Sequence, residues 1–356
     1  MEPVTHFLFG AAMGRAGLNR KTALATATLT LAAEAPDLDV LSRFGGSAFG
    51  LNHHRGFTHS FLGVPLVAAA VVAFIYLVWR LRGRKTRNPN LPARWGLLFA
   101  YACLAGLSHI LLDYTTAYGV RPFWPFSERW ISWDIVFIVE PVLLVVLTLG
   151  LITPGLFSLI NEEIGARGKG KPAGRLAATL ALVAVVACWG VRDYEHRRAL
   201  AALQARNYQG ADALRVSAYP YWVNPFRWYG VVETPNFFAT MDVDSLNFNS
   251  MSPEVDPEGQ MRIQYKPEET AVSLAAKKTY LGRVYLSWAQ YPVTETEELA
   301  NRTSGSAGAA YEVRFRDLRY DYPGHEARAT LGAVVVLTRD LRVVDERFGL
   351  GSTDTK

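Results

Sequence analysis

Four apolar stretches, residues 61–79, 95–112, 135–153 and 176–191, do most to restrict what this 356-residue chain can fold into. A hydrocarbon core takes roughly 20 consecutive apolar residues, with about 17 as the lower limit, and the stretches approach or exceed that length, 176–191 being the shortest. Inside lipid every backbone N–H and C=O must be satisfied within the segment, so each is expected to be a helix. Two shorter apolar stretches, 3–14 and 22–36, flank Arg15, Arg20 and Lys21 and read as a re-entrant or interfacial helical hairpin over 3–36.

The basic residues fix an orientation for these segments. Arg80, Arg82, Arg84, Lys85 and Arg87 follow the first long stretch, and Arg167, Lys169, Lys171 and Arg175 precede the last. Lys and Arg in short loops stay on the cytoplasmic side, so residues 113–134 and everything after about 192 are expected on the outer side. The net charge of +5 is therefore explained by a membrane, and no nucleic-acid partner is expected. The N-terminus carries no basic n-region and no small-residue cleavage site, so it does not read as a removable signal peptide. Cys103 and Cys188 sit in apolar runs and read as small hydrophobes.

Composition shifts near residue 195. Residues 1–195 are dense in Leu, Ala, Val, Phe and Trp, whereas 196–356 hold most of the Asp, Glu, Asn, Ser and Tyr. The expected fold is an all-α polytopic membrane domain (1–195) followed by a small β-rich, α+β soluble domain (196–356). Residues 310–320 alternate as a strand does, 331–348 read as two strands around an Arg339-Asp340 turn, and 272–288 read as another strand pair.

Ionisable groups beside a membrane span are costly and point to function. Five of the seven histidines, His6, His53, His54, His59 and His109, lie in the first 110 residues, with Asp37, Asp39, Asp113 and Asp134 nearby in sequence. His109 and Asp113 are four apart in a helical stretch, so both side chains fall on one face and reach one cation; a helix-end hydrogen bond is the plainer alternative. The segment HHRGFTHS (53–60) packs three histidines, Arg55 and two hydroxyls before a span; a polar helix cap accounts for Thr58 or Ser60 but not for the histidines. In PDLD (36–39), both carboxylates can turn toward a metal, or one can orient a histidine, or the pair can simply be a solvated loop. Topology read from Lys and Arg alone sends all of these to one outer face. Mixed His and carboxylate donors suit zinc, with manganese or iron as alternatives. Arg55 is suited to gripping a phosphate oxygen or a lipid headgroup. The aromatic run 119–133 reads as an interfacial belt.

The motifs THFLFGAA (5–12), PDLD, HHRGFTHS, SHILLDYTTAYGVRPFWPFS (108–127) and Trp133-Asp134 resemble the YdjM-like family of inner-membrane proteins described as metal-dependent hydrolases, over roughly residues 1–150. The resemblance implies a bacterial inner (plasma) membrane location, with the C-terminal domain an appended one. That family is in turn similar to the zinc-dependent phospholipase C and P1 nuclease group. This likeness implies His109 and Asp113 as metal ligands, joined by His6, Asp37 or Asp39, and His54 or His59.

The leading expectation is a metal-dependent hydrolase of a phosphoester or other ester, lipid included, with the bilayer as its partner. Metal-activated water attacks, Asp37 or Asp39 accepts the proton, and Arg55 steadies the developing charge. A non-enzymatic protein with a structural metal and a sensor or binding β domain is the alternative. A transporter is disfavoured because the polar residues gather on one face and no inverted repeat is evident.

Overall fold

The computed structural model describes residues 1–86, 88–163, 173–246, 261–299, 308–323 and 331–349. Much of the second basic loop, 160–175, lies outside the described residues. In chain order the helices are α1 (Pro3–Arg15), α2 (Ala25–Glu34), α3 (Ser47–His53), α4 (Gly63–Leu81), α5 (Trp95–Tyr114), α6 (Pro141–Glu163), α7 (Ala173–Gln204), α8 (Ala271–Lys278) and α9 (Tyr280–Trp288). The strands are β1 (Arg215–Pro220), β2 (Arg227–Glu233), β3 (Phe237–Asp244), β4 (Arg262–Tyr265), β5 (Pro292–Glu298), β6 (Ala309–Asp317), β7 (Ala333–Thr338) and β8 (Val343–Phe348). A helical N-terminal region thus precedes a C-terminal domain built on two antiparallel sheets.

The chain divides into two compact units. The first comprises Met1–Asp39, Arg55–Glu195 and Pro220–Pro225; the second comprises Val40–His54, His196–Tyr219 and the rest. Segment Val40–His54, grouped with the N-terminal half from sequence, belongs to the second unit, where α3 packs on α9 and β8.

Three helices in the described residues are long and apolar enough to cross a membrane: α4, α5 and α7 from Gly174. The expected span at 135–153 begins later. Its helix starts at Pro141, which suits a first helical turn because its missing N–H has no partner there anyway. Residues ahead of it are pinned in another conformation. Asp134 has φ +60°, and the N–H groups of Ile135 and Val136 both donate to the Thr115 carbonyl at 3.0 Å. The apolar described part of α6, Pro141–Leu156, is accordingly shorter than the other three. The loop is also tied to α7, where the Trp133 indole N–H donates to Asp193 at 2.9 Å and the buried Glu140 carboxylate accepts from Arg192 at 2.7 Å. Burial pushes the Glu140 carboxyl up, against the pull of Arg192.

Helices α1 and α2 occupy residues 3–15 and 25–34 and pack on each other. Glu2 caps α1 by accepting from the Thr5 N–H at 2.8 Å, and Pro3 opens the helix. Helix α1 packs on α2, and α2 on α5, through small residues including Ala32, Ala33, Ala102 and Ala105. That close approach brings the α2 backbone against the face of α5 carrying His109.

In the second unit the strands run in the orders β1-β2-β3-β4 and β5-β6-β7-β8. The end of α7 contributes Ala199, Ala202 and Leu203 to a core shared with Trp228, Phe237 and Met241. The strands expected at 310–320 and 331–348 form as β6, β7 and β8. The strand pair expected at 272–288 does not; this segment is α8 and α9. Thr270 and Ser273 form a reciprocal capping box, and Thr279 caps α9, so side chains outside the apolar pattern decide the local structure. The buried residues Leu281, Val284, Tyr285 and Trp288 then follow helical spacing.

A Cβ at Gly10 of α1 would sit 2.8 Å from the Leu29 carbonyl oxygen and 3.0 Å from the Ala33 Cβ. Gly→Ala inside a helix ordinarily stabilises by about 0.5–1 kcal/mol. Here the clash reverses the sign, and Gly10→Ala is expected to destabilise by about 1–3 kcal/mol. Thermal unfolding in detergent checks this; a raised midpoint would contradict the close contact.

Candidate metal centre

Four side chains from three elements of the first unit converge. His109 and Asp113 lie one turn apart on α5, Asp37 comes from a 3-10 segment (Ala35–Gly45), and His59 ends a short 3-10 turn (Phe57–His59). One ligand atom from each lies within 4.8 Å of every other. His59 Nε2 is 3.0 Å from His109 Nε2 and 3.4 Å from Asp37 Oδ1. Asp113 Oδ2 stands 3.3 Å from His59 Nε2 and 3.4 Å from His109 Nε2, and Asp37 Oδ1 is 3.5 Å from His109 Nε2.

Hydrogen bonds on the far side of each ring fix what the rings present to this centre. His109 Nδ1 is 2.6 Å from the Ala33 carbonyl oxygen, which can only accept. His59 Nδ1 is 3.1 Å from Asp39 Oδ2. Each Nδ1 therefore carries the proton, and each neutral ring turns an Nε2 lone pair inward. Two lone pairs 3.0 Å apart, flanked by two carboxylates, repel unless a cation or protons lie among them. A tetrahedral ion with bonds of about 2.0–2.1 Å has ligand–ligand edges of about 3.3 Å, and the five separations above scatter about that value. The residues present fit a metal.

His6 of α1 completes the polar interior. It stacks on His109 with ring centroids 3.8 Å apart, and its Nε2 is 3.5 Å from Asp113 Oδ1. It is fully buried, and neither ring nitrogen makes a hydrogen bond. Burial, then the neighbouring His109, lowers its pKa and keeps the ring neutral. Glu34 is raised to about 7 by burial, with Asp37 adding to the shift.

The remaining residues singled out from sequence take different places. Asp39 braces the site, accepting from the Arg55 N–H at 2.7 Å and from the Thr58 hydroxyl at 3.2 Å besides holding His59. Arg55 is buried with φ +53°; its guanidinium donates to Asp113 Oδ1 at 2.7 Å and to the Gly119 carbonyl at 2.9 Å, and lies over the Tyr118 ring. The Met1 ammonium also contacts Asp113 Oδ1. His53 is stacked on Phe49 and bonded to its carbonyl oxygen, and His54 is the C-cap of α3; neither is among the four donors. Asp134 also lies outside the four. Sequence reasoning did not single out the Ala33 carbonyl or the Gly119 carbonyl. Backbone acceptors carry no residue-type signal; the run of small residues on α2 was the one trace of so close an approach.

Membrane-length helices carrying a buried cage of two imidazoles and two carboxylates define a membrane protein with a candidate metal centre. The chain belongs to the YdjM inner membrane protein family, which matches residues 1–199. It is also similar to a Bacillus subtilis (strain 168) protein named "Uncharacterized protein YfhP", 28% identical over 149 residues, which are 40% of this chain and 42% of that protein. The chain thus spans less than half the length of this relative. No solved structure matches.

Removing a group that orients a ligating histidine typically weakens metal binding about 10–100-fold. Asp39→Asn is therefore expected to lower metal affinity by that factor, whereas His53→Ala leaves it unchanged. Competition titration with a chromogenic chelator measures both, and equal effects of the two substitutions would contradict the assigned geometry.

Proposed function

We propose that this protein is a multi-pass, metal-dependent hydrolase of the inner membrane, acting on an ester or phosphoester. The observation that carries the proposal is the set of four converging donors, of which three are sealed from solvent and one, Asp37, has a side chain 20% exposed. Zinc suits two imidazoles and two carboxylates at tetrahedral spacing. When bound, it would supply Lewis acidity and a water of lowered pKa.

The side chains define the other roles. His59, His109 and Asp113 hold the metal from the buried side, and Asp37 forms the wall that water and substrate approach. The Asp37 carboxylate is the group closest to that approach and accepts the proton of the attacking water. Asp39 and Arg55 act as positioning residues, the first through His59 and the second through Asp113. Arg55 also offsets part of the negative charge of the buried Asp113 carboxylate. The charge pattern of the loops supports an outer-face site, since His6, PDLD, HHRGFTHS and the end of α5 all fall opposite the basic turns.

A second reading has a specific observation in its favour. Four protein donors already complete a tetrahedron, as in structural sites, whereas catalytic sites keep one position for water. A structural metal would hold α5 to the 3-10 segments that follow α2 and precede α4 through Asp37, His59, His109 and Asp113, with His6 outside the four donors.

Turnover separates the two. Zinc-loaded protein in detergent is expected to cleave at least one member of a chromogenic panel of carboxylic esters, phosphomonoesters and phosphodiesters. Activity should vanish on chelation and return with metal. Asp37→Asn, assayed at saturating metal, is expected to lose about 10²–10⁴ in kcat. No turnover across the panel, together with chelator-induced unfolding, would favour the structural metal.

A further inference from the structure

Exposed apolar side chains adjoin the donors of the metal centre along the chain. Leu38, directly after the solvent-facing donor Asp37, is exposed, as is Phe57, two residues before His59. Phe61 and Leu62 follow, and Phe123 and Phe126 come from the loop after α5; Phe126 is 86% exposed. These side chains form a joined structure. The Phe61 N–H donates to the Pro122 carbonyl at 2.9 Å, Phe61 meets Phe123 edge-on at 5.5 Å, and Phe57 meets Trp124 edge-on at 5.8 Å. Two segments, 57–62 and 121–126, therefore make one aromatic lip beside the cage.

Contiguous exposed apolar surface of this kind marks a site of interaction with something apolar. The position of the lip says what that is. Helix α4, a candidate membrane span with little of its apolar window buried, begins at Gly63, one residue after Leu62. The lip thus stands at the level where α4 meets the membrane surface, where aromatic side chains favour the boundary between headgroups and acyl chains. A substrate approaching Asp37 over this lip meets polar donors at one end and hydrocarbon at the other. A buried cation lies close by as well: Arg121, next to Pro122, has its guanidinium 4.6 Å from the Trp130 ring centroid.

Resting on the hydrolase reading, we propose that the substrate is a bilayer lipid that reaches the metal centre laterally, its acyl chain on the aromatic lip and its scissile bond at Asp37. Cleavage is a hydrolysis. The hydroxyl of water joins the acyl carbon or phosphorus, the ester C–O or P–O bond breaks, and the proton leaves with the alcohol, so no further reactant is needed.

Diacylphosphatidylglycerol carries both carboxylic-ester and phosphodiester bonds, so one probe covers both bond classes. The test compares the dioleoyl form in vesicles with the dihexanoyl form as dissolved monomer, for wild type and for Phe61→Ser/Phe123→Ser in nanodiscs. The expected result is a kcat/KM at least about tenfold higher for the long-chain lipid in wild type. The double variant should lose that preference, its rate falling far more on the long-chain form than on the short-chain form. Equal use of both forms, or a variant that slows both alike, would overturn the lipid inference and leave the hydrolase intact. Should no ester be cleaved at all, the hydrolase reading fails, and the lip is judged by labelling with a diazirine-bearing phosphatidylglycerol. Cross-links within 57–62 and 121–126 that unlabelled lipid competes away uphold the lip as a lipid site, and their absence overturns it.

Discussion

Two imidazole nitrogens that both present lone pairs and stand 3.0 Å apart are the constraint on which the first unit depends. Their protons are held elsewhere, on the Ala33 carbonyl and the Asp39 carboxylate, so neither ring can relieve the contact by donating to the other. Adding Asp37 and Asp113 to the same space raises the density of negative charge and lone pairs further. In low dielectric such an arrangement calls for a cation or for added protons. Arg55 meets Asp113 at Oδ1, whereas Oδ2 faces the two histidines.

The surrounding architecture follows from that requirement. Helix α2 must approach α5 closely enough for a backbone carbonyl to reach His109, and the alanines between them allow it. The 3-10 segments after α2 and before α4 bring Asp37, Asp39 and His59 in from the end of the bundle. Arg55 adopts a left-handed backbone conformation that L residues rarely take, held by its N–H on Asp39 and its guanidinium on Asp113. Strain of that sort persists where the surroundings over-determine it, and it clusters at functional sites. The loop after α5 is anchored in turn to α7, at Trp133 with Asp193 and at Glu140 with Arg192, which holds the exit of the helix that carries His109 and Asp113.

Much of this was legible in the sequence, for identifiable reasons. Runs of apolar residues mark α4, α5 and α7 because lipid tolerates no other backbone solution, and the i, i+4 pair His109 and Asp113 announces one helical face. Alternation marks β6, and the apolar run before the Arg339-Asp340 turn marks β7. What stayed hidden depended on contacts across the chain. The choice of His59 over His53 and His54 is made by where the turn at Gly56 aims each ring, and spacing alone does not encode that. The helices α8 and α9 arise from Thr270 and Thr279 caps, which short apolar runs mask. The start of α6 at Pro141 is set by Thr115 capturing the N–H groups of Ile135 and Val136, a long-range event with no local signature.

The central claim is that Asp37, His59, His109 and Asp113 enclose a single metal ion. X-ray absorption on purified, metal-quantified protein tests it most directly. The account predicts one stoichiometric ion, with two imidazole nitrogens and carboxylate oxygens at about 2.0–2.1 Å. It also predicts loss of one imidazole from the spectrum in His59→Ala and in His109→Ala, but not in His53→Ala. A protein that stays metal-free after reconstitution, or an ion whose spectrum is the same in all three variants, would contradict it.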